Sequence, residues 1–157
     1  MATNTILQSL NPVEDGSGVT SSFRRQIESF IAAEAITAND LVAVDLSQTE
    51  DGDKALYAVQ ADTGTATATV AVGFALEDAA SGDIVKVTVA GIHVSANVDG
   101  STAAGSRLIV GSTAGRAAVA ADIDESGSAT VAQRPIIAIA AEADATNVAT
   151  VFVIKQF

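Results

Sequence analysis

Residues 80–89, with the sequence ASGDIVKVTV, decide the fold of this chain, because a tight turn opens directly into a strand of alternating residues. Three valines share one face of that strand, while Lys86 and Thr88 point to the other face. The same pattern of turn residues followed by a β-branched run occurs at 37–44 (TANDLVAV) and, more loosely, at 103–110 (AAGSRLIV). The pattern predicts a compact domain made of short strands.

Turn signals separate the apolar runs at intervals of about 8–12 residues, which is typical of a sandwich or a small barrel. We therefore expect an all-β fold. Asp51-Gly52 is the predicted turn of the loop at 45–54, and Gly91 is the predicted site of a bulge in a long strand. Strands are predicted at 26–33, 41–44, 55–60, 69–76, 84–89 continuing to 95, 108–110, 117–121, 131–142 and 148–154.

The first 22 residues differ from the rest and are predicted to form an extended N-terminal arm ahead of a β-rich domain at 23–157. Residues 11–18 are rich in Pro, Gly and Asp, and the apolar residues before and among them have no clean period. Such an arm is either disordered or ordered on a partner. Residues 23–33 fit both a helix and a strand; we favour a strand, since the next turn follows at once.

A weak internal echo suggests a repeat. Residues 72–79 (VGFALEDA) are similar to residues 137–144 (IAIAAEAD), and both segments end in an acidic, Ala-rich turn before a strand. Two explanations stay open at this point: a duplicated unit, or turn chemistry that two unrelated hairpins share.

The composition indicates a light core. About a fifth of the 157 residues are Ala, while the chain has five Phe, one Tyr and no Trp. Alanine buries little apolar area, so Val and Ile must supply most of the packing. We expect the fold to gain stability from association with other copies.

Charge and targeting signals restrict the partners. The formal net charge of −11 repels phosphate, and the basic residues form no stripe, so we expect no nucleic acid and no anionic membrane as partner. No apolar run approaches the roughly 20 residues that span a bilayer, and we expect no secretion signal at the N-terminus. The absence of Cys excludes disulfides, zinc–thiolate sites and thiol nucleophiles.

His93 is the single His and lacks a second His or a Cys to complete a metal site or a nucleophile–base pair. We expect it to be a hydrogen-bonded or interface side chain. Two acidic pairs, Glu77-Asp78 and Glu142 with Asp144, could serve glycoside hydrolysis, but 4% aromatic residues are too few for a sugar cleft.

Two acidic turns and one glycine-rich loop complete the chemical candidates. Residues 50–53 and 122–125 could bind calcium, although neither has the ligand order of an EF-hand. Residues 100–105 match Gly-x-x-x-x-Gly, but Ser106 stands where a phosphate-binding loop needs Lys. We expect no cofactor and no enzyme activity.

In order and spacing, residues 23–157 resemble the capsid decoration, or cement, proteins of tailed phages. The residues that carry the resemblance lie at 36–42 (ITANDLV), 72–92 (VGFALEDAASGDIVKVTVAGI), 104–108 (AGSRL), 113–117 (TAGRA) and 136–143 (IIAIAAEA). The family pattern has an AGD-x-V entry, a VGVALEDAAAG-x-x-V-x-V-x-x-x-G centre and a closing repeat of that centre. This chain has Asn39 and Asn147 where the family has Gly.

The resemblance implies a small, β-tulip-like barrel or sandwich that forms a homotrimer. It also implies a virion protein, made in the host cytoplasm, that binds the major capsid protein on the outer surface of the mature, expanded head and stabilises it. The alternative is a head-fibre or receptor-binding β-knob on the virion, and a secreted adhesin or pilin-like module is a further class. The expected partner-binding residues are Ile6, Leu7, Leu10 and Val13 as arm anchors, with Phe23, Phe30 and Ile31 at the arm base or the subunit interface.

Overall fold

A computed structural model of the chain describes residues 25–64, 70–120 and 135–156. These residues are almost entirely β, with a single turn of helix. Most predicted strands are present, with ends that differ by a few residues. The elements are β1 (Gln26–Ala32), β2 (Leu41–Val44), α1 (Asp51–Lys54), β3 (Tyr57–Gln60), β4 (Ala71–Ala75), β5 (Ile84–Asn97), β6 (Arg107–Val110), β7 (Ala117–Val119), β8 (Ala138–Ala140) and β9 (Val148–Val153).

Five strands close into a barrel, which confirms the predicted fold class. Their order is β1-β3-β2-β4-β5, and β5 returns to pair with β1. The β1–β3 pair is parallel, whereas the other four pairs are antiparallel. Closure leaves no free edge in this half of the molecule, and the strand predicted at 26–33 is the element that completes the ring.

The remaining strands form a second sheet that shares β5 with the barrel. Its order is β5-β9-β8-β6-β7, and an isolated parallel bridge between Val98 and Ala117 links its two ends. The barrel contains the equivalent parallel contact, where Ala32 of β1 lies beside Ala58 of β3. The second sheet therefore repeats the strand order of the first, with the late half of β5 in the role of β1.

Backbone hydrogen bonds repeat as well. Asn39 donates to Ala75 O at 2.8 Å, and Gly105 donates to Ala140 O at 2.8 Å. Both donors have a left-handed backbone, with φ of 72° and 84°. The next residue in each turn accepts a bond from the same strand, Asp40 from Ala75 and Ser106 from Ala140, both at 2.9 Å. Shared strand order and shared turn bonds favour duplication over turn chemistry alone.

Alternation along the strands builds two apolar cores. Inside the barrel lie Phe30, Val42, Val72 and, as the sequence predicts, Val85, Val87 and Val89 of β5. Strands β2 and β4 are buried on both faces, because their outward side chains join the core of the second sheet. The second core includes Leu41, Ala43, Ala71, Phe74, Val98, Leu108, Val110, Ile137, Val151 and Val153.

Three details differ from the expectations. Thr88 shares a face with exposed Lys86, yet it is fully buried, because the second sheet covers that part of the barrel. The loop after β2 contains the helical turn α1 rather than a hairpin turn at its Asp-Gly pair. Strand β5 has two irregularities where one was predicted: its pairing with β1 shifts between Thr88 and Ala90, directly before Gly91 with its φ of 90°, and its pairing with β9 shifts between His93 and Ala96, where Ser95 adopts a φ of 69°.

Gly73 provides a test of this packing. A Cβ at Gly73 would lie 2.0 Å from the carbonyl oxygen of Thr88 on the neighbouring strand, so β4 and β5 would have to separate. Gly73→Ala should lower the free energy of unfolding by about 3 kcal/mol, the upper end for overpacked sites. Urea denaturation of the full chain measures the change.

Gly52→Ala is the matched control, because a Cβ at Gly52 meets nothing within 4 Å and the residue lies in α1. It should be neutral or stabilising by at most about 1 kcal/mol. Equal destabilisation by both substitutions would contradict the proposed strand contact.

Candidate interaction surface

The hairpin between β6 and β7 joins the second sheet to the barrel through backbone hydrogen bonds. Leu41 N donates to Gly115 O at 2.7 Å, and Gly115 N donates to Ala61 O at 3.0 Å. A Cβ at Gly115 would lie 2.8 Å from Cγ of Asp40, and the backbone there has a φ of 74°. The close approach therefore requires glycine at this position.

Asp40 ties three segments together beneath that hairpin. Its carboxylate accepts bonds from Thr37 N at 3.0 Å, Gln60 Nε2 at 2.6 Å and Asn97 Nδ2 at 2.9 Å. The side chain is buried, so these donors replace the water that the carboxylate loses on folding. The Asp of the recurring turn thus joins the barrel to the late half of β5.

His93 is buried at the same junction, where both of its ring nitrogens have hydrogen-bond partners. Its Nε2 lies 3.2 Å from Asn39 Oδ1, and its Nδ1 lies 3.1 Å from Thr88 Oγ1. The ring stacks on Phe74, with ring centroids 5.3 Å apart. A neutral ring can satisfy both contacts, donating from one nitrogen and accepting at the other. Burial lowers the pKa of His93 to about 4, and the positive charge of Arg25 adds to the shift.

The barrel has an open mouth at the end of β2, away from the turn that contains Asp40. A cavity of about 550 Å³ lies there, between the start of β1, the end of β2 and the helical turn α1. Apolar side chains form its walls and charged side chains its rim, where Lys155 lies 3.8 Å from Glu28. The lining residues are Glu28, Phe30, Val44, Leu46, Lys54, Ala55, Val72, Val89, Lys155 and Gln156.

Asp45 fixes the turn that carries Leu46 to the rim of this mouth. Burial of Asp45 would raise its pKa, but hydrogen bonds from the Ser47 hydroxyl, Gln48 and the Ser47 backbone hold the pKa below its usual value. The two side-chain bonds measure 2.7 and 2.6 Å. Because the folded-state pKa is lowered, this turn loses stability only in acid, as the carboxylate becomes protonated.

The outer face of the second sheet is largely apolar. Arg107, Ile139, Phe152 and Ile92 lie directly opposite one another across β6, β8, β9 and β5. Ile139 is 38% exposed and Phe152 is 48% exposed. Ile154, exposed at 39%, lies one residue beyond the end of β9 and two residues after Phe152. We call Ile92, Ile139, Phe152 and Ile154, with Arg107 beside them, the second-sheet face.

Only part of the sequence-predicted site lies within the described residues. Phe30 is buried in the barrel and lines its mouth, and Ile31 is half-buried in β1 beside Tyr57. The other predicted residues, Ile6, Leu7, Leu10, Val13 and Phe23, lie outside the described residues, as does the arm at 1–22. The exposed isoleucines and Phe152 were not predicted as a surface, because sequence alternation alone does not say which face is uncovered.

Three of the four carboxylates in the acidic pairs accept hydrogen bonds from the backbone, and the fourth forms an ion pair. Asp78 accepts a bond from Ala38 N and Asp144 from Thr102 N, both at 2.7 Å. Glu77 lies 3.3 Å from the Lys86 ammonium, and Glu142 accepts from Thr150 N at 3.1 Å. These carboxylates therefore fasten turns to neighbouring strands, a role that the sequence alone did not distinguish from general acid–base work.

Residues 25–64, 70–120 and 135–156 contain neither a cluster of metal-ligating side chains nor a helix that could span a membrane. In these ranges, no three His, Cys, Asp or Glu side chains lie close enough together to hold a metal ion. The calcium candidate at 122–125 falls outside them.

The lowered pKa of His93 predicts how stability responds to pH. The unfolded His has a pKa near 6.5 and binds a proton first as the pH falls, so acid favours the unfolded chain. Relative to His93→Gln, the native protein should lose about 2 kcal/mol of unfolding free energy between pH 7 and pH 5. Urea denaturation at both pH values measures this difference, and parallel pH profiles for the two proteins would contradict it.

No family model matches the sequence, and no curated protein matches it either. Among solved structures, the chain is similar to the N base of the head fibre gp8.5 of bacteriophage phi29, with a TM-score of 0.48 and 19% identical residues. The alignment covers 83% of this chain and 94% of that chain. A likeness at this level does not extend the head-fibre role to this chain.

Proposed function

We propose that the chain is a structural protein of a tailed-phage virion, a decoration protein that binds the outside of the mature head as a trimer and stabilises it. The observation that carries the interaction role is the second-sheet face, where Ile and Phe side chains are exposed on a folded sheet. Exposed apolar patches of this kind mark protein-binding surfaces. The virion assignment rests on the order of the turn and strand motifs that resemble the decoration family.

The chemistry of the described residues supports binding rather than catalysis. His93 is stacked and hydrogen-bonded within the fold, and the acidic pairs hold turns. A general acid or base needs a proton-transferring atom that can reach a substrate. His93 is buried, and Asp78 and Asp144 hold turns, so we infer that this fold acts through contact surfaces.

Stabilisation of a head would follow from selective binding. A protein that binds the expanded shell and not its precursor favours the expanded state by mass action. Three arms on one trimer would add avidity, since each arm after the first binds at a high effective concentration. Main-chain bonds from an arm to a capsid strand edge would supply contacts that need no special side chains.

The arm provides the direct test. Removal of residues 1–22 should leave the fold intact and should reduce co-sedimentation with expanded heads of the phage that encodes the chain by about tenfold or more. The measurement is occupancy on purified mature and immature heads, with the full chain alongside.

A matched variant keeps the chain length and replaces Ile6, Leu7, Leu10 and Val13 with Ser. It should lose occupancy like the deletion, because the proposed anchors are apolar. Full occupancy of either variant would overturn the proposed role of the arm.

Heat treatment separates decoration from the head-fibre alternative. A decoration protein should raise the temperature at which expanded heads lose their DNA, because it binds the intact shell preferentially. Binding to heads without any gain in heat resistance would favour the head-fibre role instead, and absence of binding would overturn both.

A further inference from the structure

The barrel and the second sheet pack against each other within one chain, and their junction shows which surfaces fit together. The outward faces of β2 and β4 cover the end of the second sheet, where Phe74 stacks on His93. Leu41 and Phe74 belong to the same buried cluster as Val98 and Val110. Within the monomer, the outward face of β2 and β4 therefore packs on one end of the second sheet. We call these the covered face and the covered end.

The repeat gives the covered face a counterpart. In the barrel, Leu41, Phe74, Thr88 and Ile27 lie opposite one another across β2, β4, β5 and β1. In the second sheet the same row is Arg107, Ile139, Phe152 and Ile92. The second-sheet face is thus the equivalent of a row in which Leu41, Phe74 and Thr88 are buried and Ile27 is exposed, but nothing in the described residues covers it.

The covered end also has a counterpart. Val110 and Val153 occupy the positions in the second sheet that Val44 and Val89 occupy in the barrel. His93 lies opposite Val151, as Glu28 lies opposite Val87. Val44, Val89 and Glu28 line the open mouth of the barrel. The mouth is therefore the equivalent of the end that Phe74 covers, and it is an open cavity of about 550 Å³.

We propose that the second-sheet face of one copy covers the barrel mouth of the next copy, which repeats between chains the contact made within the chain. Ile139 would take the place of Phe74 and lie beside Glu28 of its neighbour. Arg107 lies directly opposite Ile139 on the donor face, and the acceptor rim has charges of both signs, Glu28 together with Lys54 and Lys155, so the contact depends on its apolar side chains. The apolar walls of the mouth match the Ile and Phe side chains of the face.

The contact joins two different surfaces, so each copy contacts two others. Such head-to-tail contacts close into rings when the rotation allows. This inference rests on the trimer in the proposed function and names its surfaces: three copies would form a ring of six alternating units. It does not involve the arm or the capsid, so it is tested without heads.

Sedimentation of the purified full chain gives the first test. The native chain of 15.7 kDa should sediment as about three copies, whereas Phe152→Glu should sediment as a single copy with an unchanged circular dichroism spectrum. Ile84→Glu is the control, because Ile84 is the more exposed apolar residue, at 67%, and lies in neither surface. Ile84→Glu should keep the native mass.

Three sedimentation outcomes overturn the proposal. They are a native chain that remains a single copy, a folded Phe152→Glu variant with the native mass, and an Ile84→Glu variant that dissociates like Phe152→Glu. In each case the assembly either does not exist or does not use this face.

Cross-linking gives a second test, which remains informative if Phe152→Glu fails to fold. The chain has no Cys, so Ile139→Cys and Glu28→Cys each add a unique thiol. Mixed and treated with a short bis-maleimide, the two variants should give a covalent pair of about twice 15.7 kDa. Ile84→Cys mixed with Glu28→Cys should give none. Equal yields from the two mixtures, or no product from the first, would overturn the proposal.

Loss of this contact and loss of the proposed function are distinguishable. A ring that forms in solution but does not bind heads would support the inference and overturn the decoration role. A protein that decorates heads and sediments as a single copy would overturn the inference and the proposed trimer, but not the decoration role.

Discussion

The sharing of strand β5 between two sheets is the constraint on which the rest of the structure depends. Strand β5 has 14 residues and extends roughly 46 Å, whereas the other strands have three to seven residues. The early half closes the barrel through β1 and β4, and the late half pairs with β9. A continuous strand fixes the position of the second sheet, so Thr88 and His93, on opposite sides of Gly91, come into hydrogen-bond contact. That contact buries a polar residue on what is otherwise an outward face.

Strands β2 and β4 have one core on each face, so they combine large and small buried side chains. Leu41 and Phe74 fill the space between the two sheets, while the buried Ala43, Ala71 and Ala75 occupy little volume. Gly73 allows the Thr88 carbonyl to approach even more closely. A core of this kind is light, which makes the exposed apolar face of the second sheet important for the stability of an assembly.

The polar groups contribute to the same architecture. Asp40 holds the recurring turn against Gln60 and Asn97, and Asp78 and Asp144 fasten later turns. Within the described residues, the second-sheet face and the barrel mouth are two apolar surfaces that a partner could contact. The repeat relates each of them to a contact that already exists within the chain. Function in such a molecule depends on which surfaces remain uncovered.

The sequence by itself determined the local features: the strands of residues 84–89, the turns at Asn39 and Gly105, the all-β class and the echo between 72–79 and 137–144. These depend on neighbours along the chain, where alternation and turn chemistry act. It did not reveal barrel closure by β1, the irregularity at Ser95, the burial of Thr88 or the exposure of Phe152. Thr88 and Phe152 occupy equivalent positions, and each follows the same alternation. Only the tertiary structure decided that a second sheet covers one and not the other, because burial depends on what packs against a strand and not on the strand itself.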